Sequence, residues 1–163
     1  MHYLALSVMI ATAPQSGYQP AWPVDSSAAT SIQWQVDHLD LAPAAIVWLE
    51  DGMVASLERD TVRRTGSVVR AWFRWEALSQ EQADQWGARS MLVLREMDCD
   101  QRRTRLLAAS LYKGTNLTGS HEDHNEPDGG RAWTYDRPGM LGAAQTAAAC
   151  DGVFFLPDLT TSK

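Results

Sequence analysis

The chain has only two cysteines, Cys99 and Cys150, in 163 residues. No C-x-x-C is present, so a zinc site built from cysteine pairs is excluded. G-x-S-x-G, H-E-x-x-H and a phosphate-cradling glycine loop are missing too, and no enzyme of those classes is expected. Basic charge is also scarce. Fourteen Lys and Arg against 20 Asp and Glu leave a net charge of -6. A nucleic-acid binder carries a basic stripe, whereas here Arg59-Arg63-Arg64 and Arg102-Arg103-Arg105 are isolated clusters, so no nucleic-acid partner is expected. No apolar run reaches the roughly 20 residues of a membrane-spanning helix, so no transmembrane segment is expected.

No charged side chain precedes Asp25. An apolar run from Tyr3 to Ile10 leads into Ala11-Thr12-Ala13, a small-x-small pattern of the kind signal peptidase cleaves. Residues 1–13 therefore read as a signal peptide or its remnant, and the protein as exported to the periplasm or cell surface. No cysteine follows directly, so no lipid anchor is expected there. Export bears on the cysteines, because two cysteines in one domain usually pair in an oxidising compartment and stay reduced in cytosol. Cys99 lies between Asp98 and Asp100, whose charges disfavour a reactive thiolate.

Residues 14–31 are rich in Pro, Ser and Ala without periodicity and read as an extended arm. Ile32 to Val36, Ala45 to Leu49 and Met53 to Leu57 are short strand candidates, the last two joined by a turn at Glu50-Asp51-Gly52. The clearest strand is SVVRAWFRWE. It places Val69, Ala71, Phe73 and Trp75 on one face and Val68, Arg70, Trp72, Arg74 and Glu76 on the other. Ser79 and Gln82 are spaced as a capping box for a short helix. Met91 to Cys99 and Arg103 to Lys113 should pair as a hairpin, and Arg131 to Tyr135 is the last strand candidate. An alanine-rich helix follows, with Pro138 in its first turn and Gly152 as its stop. Met140, Ala143, Ala147 and Cys150 would form its inward stripe.

Two patches draw attention as candidate sites. Seven tryptophans are many for this length, and most belong in a core. Trp72, however, shares the more polar face with Arg70 and Arg74, a surface a partner protein could use. The long loop from Gly114 to Gly130 contains His121, Glu122 and His124 beside further carboxylates, a weak candidate for a divalent metal. H-x-x-H lacks the i, i+4 spacing of a helical zinc site, and a solvated acidic loop is the plainer reading.

A strand ending in Asp98-Cys99, a strand ending in Tyr112-Lys113-Gly114, Trp133, Pro138-Gly139 and an alanine-rich helix closing at Cys150 occur in that order. With the upstream stretch ERDTVRRTGSVVRAWFR, this arrangement resembles the surface-adhesin protein E family over roughly Trp48 to Cys150. The resemblance implies an α+β fold, an antiparallel sheet of about six strands packed against a C-terminal α-helix. It also implies a disulfide tying helix to sheet, here Cys99 to Cys150. The domain would span 32–152, with 153–163 as a tail. In a bacterial chain the sequon Asn116-Leu117-Thr118 carries no weight. One departure concerns the helix start, where Met140 stands in place of the family's capping serine and Asp136 is the alternative cap.

The implied function is that of a non-enzymatic exported binding domain without cofactors, engaging extracellular or envelope proteins. Exposed sheet edges would allow a homodimer. The alternative is a periplasmic small-ligand or metal-binding protein using the His121/His124 loop.

Overall fold

The computed structural model describes residues 19–23, 28–50 and 52–155. The leader expected over 1–13 lies outside them, as does most of the tail. The chain forms an antiparallel sheet of eight strands with a helix on each face. Strands β1 (Ile46–Glu50), β2 (Met53–Leu57), β4 (Val68–Ala77), β5 (Ser90–Asp98), β6 (Arg103–Tyr112) and β7 (His121–Asn125) lie side by side in that order. Short β3 (Arg63–Thr65) pairs with the first residues of β4, and β8 (Thr134–Tyr135) with the first residues of β6.

The β4 alternation sets the two faces. Val69, Ala71 and Phe73 are fully buried beneath the C-terminal helix, α3 (Leu141–Thr146), and the wider π turn that extends it over Ala147–Asp151. Ala148 joins that core directly, and its small side chain lets the turn sit close to the sheet. Gly152 closes it in the left-handed conformation, φ 70°, which glycine adopts without steric cost. The inward stripe differs from the expected one. Gln145, Thr146 and Ala148 are buried, whereas Met140 precedes the helix and is 57% exposed. The helix starts three residues later than a start at Pro138 implies, and the π turn shifts the phase so that Cys150 still reaches the sheet. Asp136 is not its cap. Met140 occupies that position without a side-chain hydrogen bond.

The opposite face is partly covered by α1 (Ala28–His38), which replaces the strand expected at Ile32 to Val36. Ser31, Trp34, Gln35 and Leu39 are buried while Val36 is 61% exposed, a 3.6-residue period that a five-residue window read as alternation. Trp34 and Leu39 pack on Ile46, Leu49 and Val54 of β1 and β2. Trp34 Nε1 also donates to the Ala21 carbonyl at 2.6 Å, which fixes residues 19–23 of the arm against the domain. The short helix α2 (Gln80–Trp86) is capped as its spacing predicts, the Ser79 hydroxyl accepting from the Gln82 amide at 3.1 Å.

The stretch from Gly114 to Gly130 is not one long loop. It contains β7, all of whose side chains are exposed, so no hydrophobic period marks it; main-chain pairing with Ala108 to Tyr112 makes the strand. The strand expected from Arg131 to Tyr135 shrinks to two residues. Between β7 and β8, Leu107 is an extra residue in β6, since Leu94 faces Ala108 and Arg95 faces Leu106. Gly130 crosses there at φ 101°, and a Cβ would lie 2.5 Å from Leu107 and 2.6 Å from the Leu106 carbonyl oxygen. Any side chain there would push the crossing off the sheet.

Candidate binding surface and its buried support

The two cysteines meet at one end of the sheet. Cys99 follows β5 directly, its amide donating to the Ser67 carbonyl at 2.9 Å, and Cys150 lies in the π turn. Their sulfurs are 2.01 Å apart and their Cα atoms 5.7 Å apart, a disulfide. Two arginines reinforce the closure. Arg64 donates to the Cys150 carbonyl at 2.9 Å, and Arg102 pairs with Asp151 at 2.6 Å.

Arg70, Trp72 and Arg74 project from the same side of β4, and the structure divides them. Arg70 has a side chain 60% exposed and donates to Glu96 at 2.5 Å. Trp72 is half-buried in a row with Leu94 and Ala108, beside Leu92 in the next row; all are half-buried. This apolar field on β4, β5 and β6 lies beyond the part of the face that α1 packs on. Its rim is charged, with Arg70, Glu96 and Arg105 at one end and Asp123 at the other. Burial alone would raise the Glu96 carboxyl, but hydrogen bonds from Arg70 and Arg105 and their charges outweigh it and hold it low. The two arginines therefore favour the ionised form of Glu96.

Arg74 is not part of that surface. Its side chain is 8% exposed and works below it, donating to Glu76 from Nε at 2.8 Å, to the Asp40 carbonyl at 2.8 Å and to Asn116 Oδ1 at 2.6 Å. Asn116 completes the node. Its amide donates to Glu76 at 2.9 Å and its Nδ2 to the His38 carbonyl at 2.9 Å. Its left-handed backbone, φ 57°, is tolerable for asparagine and lets one residue reach both β4 and the end of α1. Sequence reasoning met Asn116 only as a chance sequon, because nothing local marks a residue whose partners are 40 and 78 positions away.

Burial pushes the Glu76 carboxyl up to about 7, against the charge and hydrogen bond of Arg74, the Asn116 amide and the charge of Arg89. The folded protein thus holds a proton that the unfolded chain, at 4.5, has released. This contribution is complete below pH 4.5 and lost as pH rises through 7. The unfolding free energy measured in urea should accordingly fall between pH 5 and pH 8, by up to about 3 kcal/mol. Glu76→Gln should flatten that slope. An unchanged slope in the variant would show that Glu76 is not its source.

The acidic loop is resolved differently from the metal-site reading. Because β7 is a strand, His121 and His124 point to opposite faces of the sheet. Each has a private partner, His121 with Asp123 at 3.7 Å and His124 with Glu122 at 3.3 Å, and His121 stacks on Tyr112. The two histidines cannot chelate one ion from these positions. Among the described residues no group of three or more His, Cys, Asp or Glu side chains converges on a metal-sized space.

Residues 47–151 match the model of the surface-adhesin protein E family. A solved structure, crystal form II of Haemophilus influenzae protein E, aligns over 69% of this chain and 95% of that one at 10% identity, with a TM-score of 0.47. No curated protein matches the chain.

Proposed function

Because the chain belongs to the surface-adhesin protein E family, we propose that it is an exported, non-enzymatic binding domain of the cell surface. It engages an extracellular or envelope protein through the Trp72 face of its sheet. The observation that carries this reading is the row Trp72, Leu94 and Ala108, only partly covered, with Leu92 beside it and exposed Arg70 on the rim. An aromatic anchor with apolar neighbours and an arginine at the edge is the composition in which binding energy concentrates. The Cys99–Cys150 disulfide fits an oxidising compartment. Glu76, the carboxyl with a near-neutral pKa, lies sealed beneath Asn116 with no exposed surface and serves the fold rather than a reaction.

β7 has a different part. Its side chains, His121 to Asn125, are all polar or charged and exposed, which disfavours strand addition at that edge and hence a homodimer formed there.

Surface plasmon resonance against a panel of extracellular-matrix and envelope proteins tests the proposal. Saturable binding is expected, weakened about thirtyfold by Trp72→Ala, the roughly 2 kcal/mol of a hot-spot residue. Far-UV circular dichroism should be unchanged in that variant. Absence of saturable binding across the panel, or full affinity in the variant, would overturn it.

A further inference from the structure

The other face of the sheet holds a cavity of about 420 Å³ beside the start of α3. Its walls are β5, β6 and the segment 131–137, which is fixed by the Arg131 amide donating to the Leu106 carbonyl and the Asp136 amide to the Arg102 carbonyl, both at 2.9 Å. Four arginines are among the residues lining it, Arg95, Arg105, Arg131 and Arg137, with one carboxylate, Asp136, and of these the Arg105 side chain turns to the Trp72 face, where it meets Glu96. Two of the four are neutralised outside the cavity, Arg105 by Glu96 and Arg131 by Glu126 at 2.6 Å.

The other two are not. Arg137 is exposed, and neither it nor Arg95 makes an ion pair among the described residues. Arg95 lies over Trp75, 5.6 Å from the ring centroid, with its Nε shielded from solvent and without a hydrogen-bond partner. A buried guanidinium donor left unpaired is costly, and a planar oxyanion is what it matches. Burial lowers the Arg95 pKa and the nearby Arg131 charge lowers it further, while Asp136 opposes the shift. An added anion would relieve both effects. Gly142 lets the Asp136 carboxylate sit close against the start of α3, since a Cβ there would lie 3.0 Å from Asp136 Oδ1.

We propose that this cavity binds a small molecule through a carboxylate or phosphate group, held between Arg95 and Arg137. The site is separate from the Trp72 surface and independent of the protein-binding reading. It lies on the α3 face, where Thr104 and Leu106 line it, whereas Trp72 projects from the opposite face.

Titration of the ¹⁵N-labelled protein with inorganic phosphate and, separately, with succinate provides the test, with sodium chloride at matched ionic strength as control. Saturable shifts of the Arg95 Nε–H resonance and of the amides of 136, 137 and 139–142 are expected with one of the two anions, and which one responds identifies the chemistry. Affinity should drop at least tenfold in Arg137→Gln, whose exposed side chain makes loss of folding no concern, and vanish in Arg95→Gln. Shifts no larger than those with chloride, or saturation unchanged in Arg137→Gln, would overturn the proposal.

Discussion

Replacement of the disulfide by Cys99→Ser/Cys150→Ser is expected to lower the stability of the domain by about 4 kcal/mol. The bridge spans 51 positions, and closing a loop of that length removes roughly that much chain entropy from the unfolded state. This is a large share of the roughly 5–15 kcal/mol by which small domains are stable. The helix it holds cannot compensate. α3 has six residues and its π turn five, well below the length at which a helix persists alone in water. What remains after reduction is the packing of Ala148, Leu141 and Cys150 on Val69, Ala71 and Phe73, plus two arginine contacts that are largely exposed. Exposed ion pairs such as Arg102 with Asp151 contribute well under 1 kcal/mol as a rule. Urea unfolding with and without dithiothreitol measures the loss, and hydrogen exchange locates it. Amides of 141–152 should lose protection first, while β4 and β5 stay protected until global unfolding. A shift below about 1 kcal/mol would mean that the sheet and helix hold each other without the bridge.

Long-period, strongly patterned segments were legible in the sequence. β4 keeps one face apolar over its length and the other mixed, and its inward set, Val69, Ala71 and Phe73, is the centre of the core. The β5–β6 hairpin and the helix stop at Gly152 were readable for the same reason, local chemistry agreeing with the fold. Two features were not. In α1 the window at Ile32 to Val36 was too short to separate a period of 2 from one of 3.6, and burial of Ser31 and Gln35 hid the apolar stripe. β7 has no apolar residue and exists because β6 offers it an unpaired edge, which is tertiary information.

The candidate surface shows the same limit. Alternation correctly put Arg70, Trp72 and Arg74 on one side. It could not tell that Asp40 and Asn116, far away in the chain, would cover Arg74 and leave Trp72 only partly covered. For the cavity, nothing in the spacing of Arg95, Arg131 and Arg137 announces that one bulge and one glycine crossing bring them together.

Loss of Arg74 is the second large effect to expect. Arg74→Met keeps the length and most of the volume of the side chain but leaves the Glu76 carboxyl in a fully buried site with the Asn116 amide as its remaining near donor. It also strips the Asp40 carbonyl and Asn116 Oδ1 of a donor. Breaking one partner from a buried ion pair costs about 3–5 kcal/mol, because the survivor is an uncompensated charge. The cost should depend on pH in a definite sense. Arg74 lowers the Glu76 pKa, so its removal lifts that pKa beyond about 7. The folded state then takes up a proton more readily, and destabilisation is smaller at pH 5 than at pH 8. Adding Glu76→Gln removes the charge and keeps an oxygen for the Asn116 amide. The double variant should therefore recover most of the loss at pH 8 and show no difference between the two pH values. A double-mutant cycle in urea at both pH values decides the matter. Coupling below about 0.5 kcal/mol would mean that Arg74 acts by bracing Asp40 and Asn116 alone, and that the buried carboxylate is held by its backbone donor. Coupling of several kcal/mol would make this pair the bolt that fastens α1 and the Asn116 turn to β4, beside the row from which Trp72 projects.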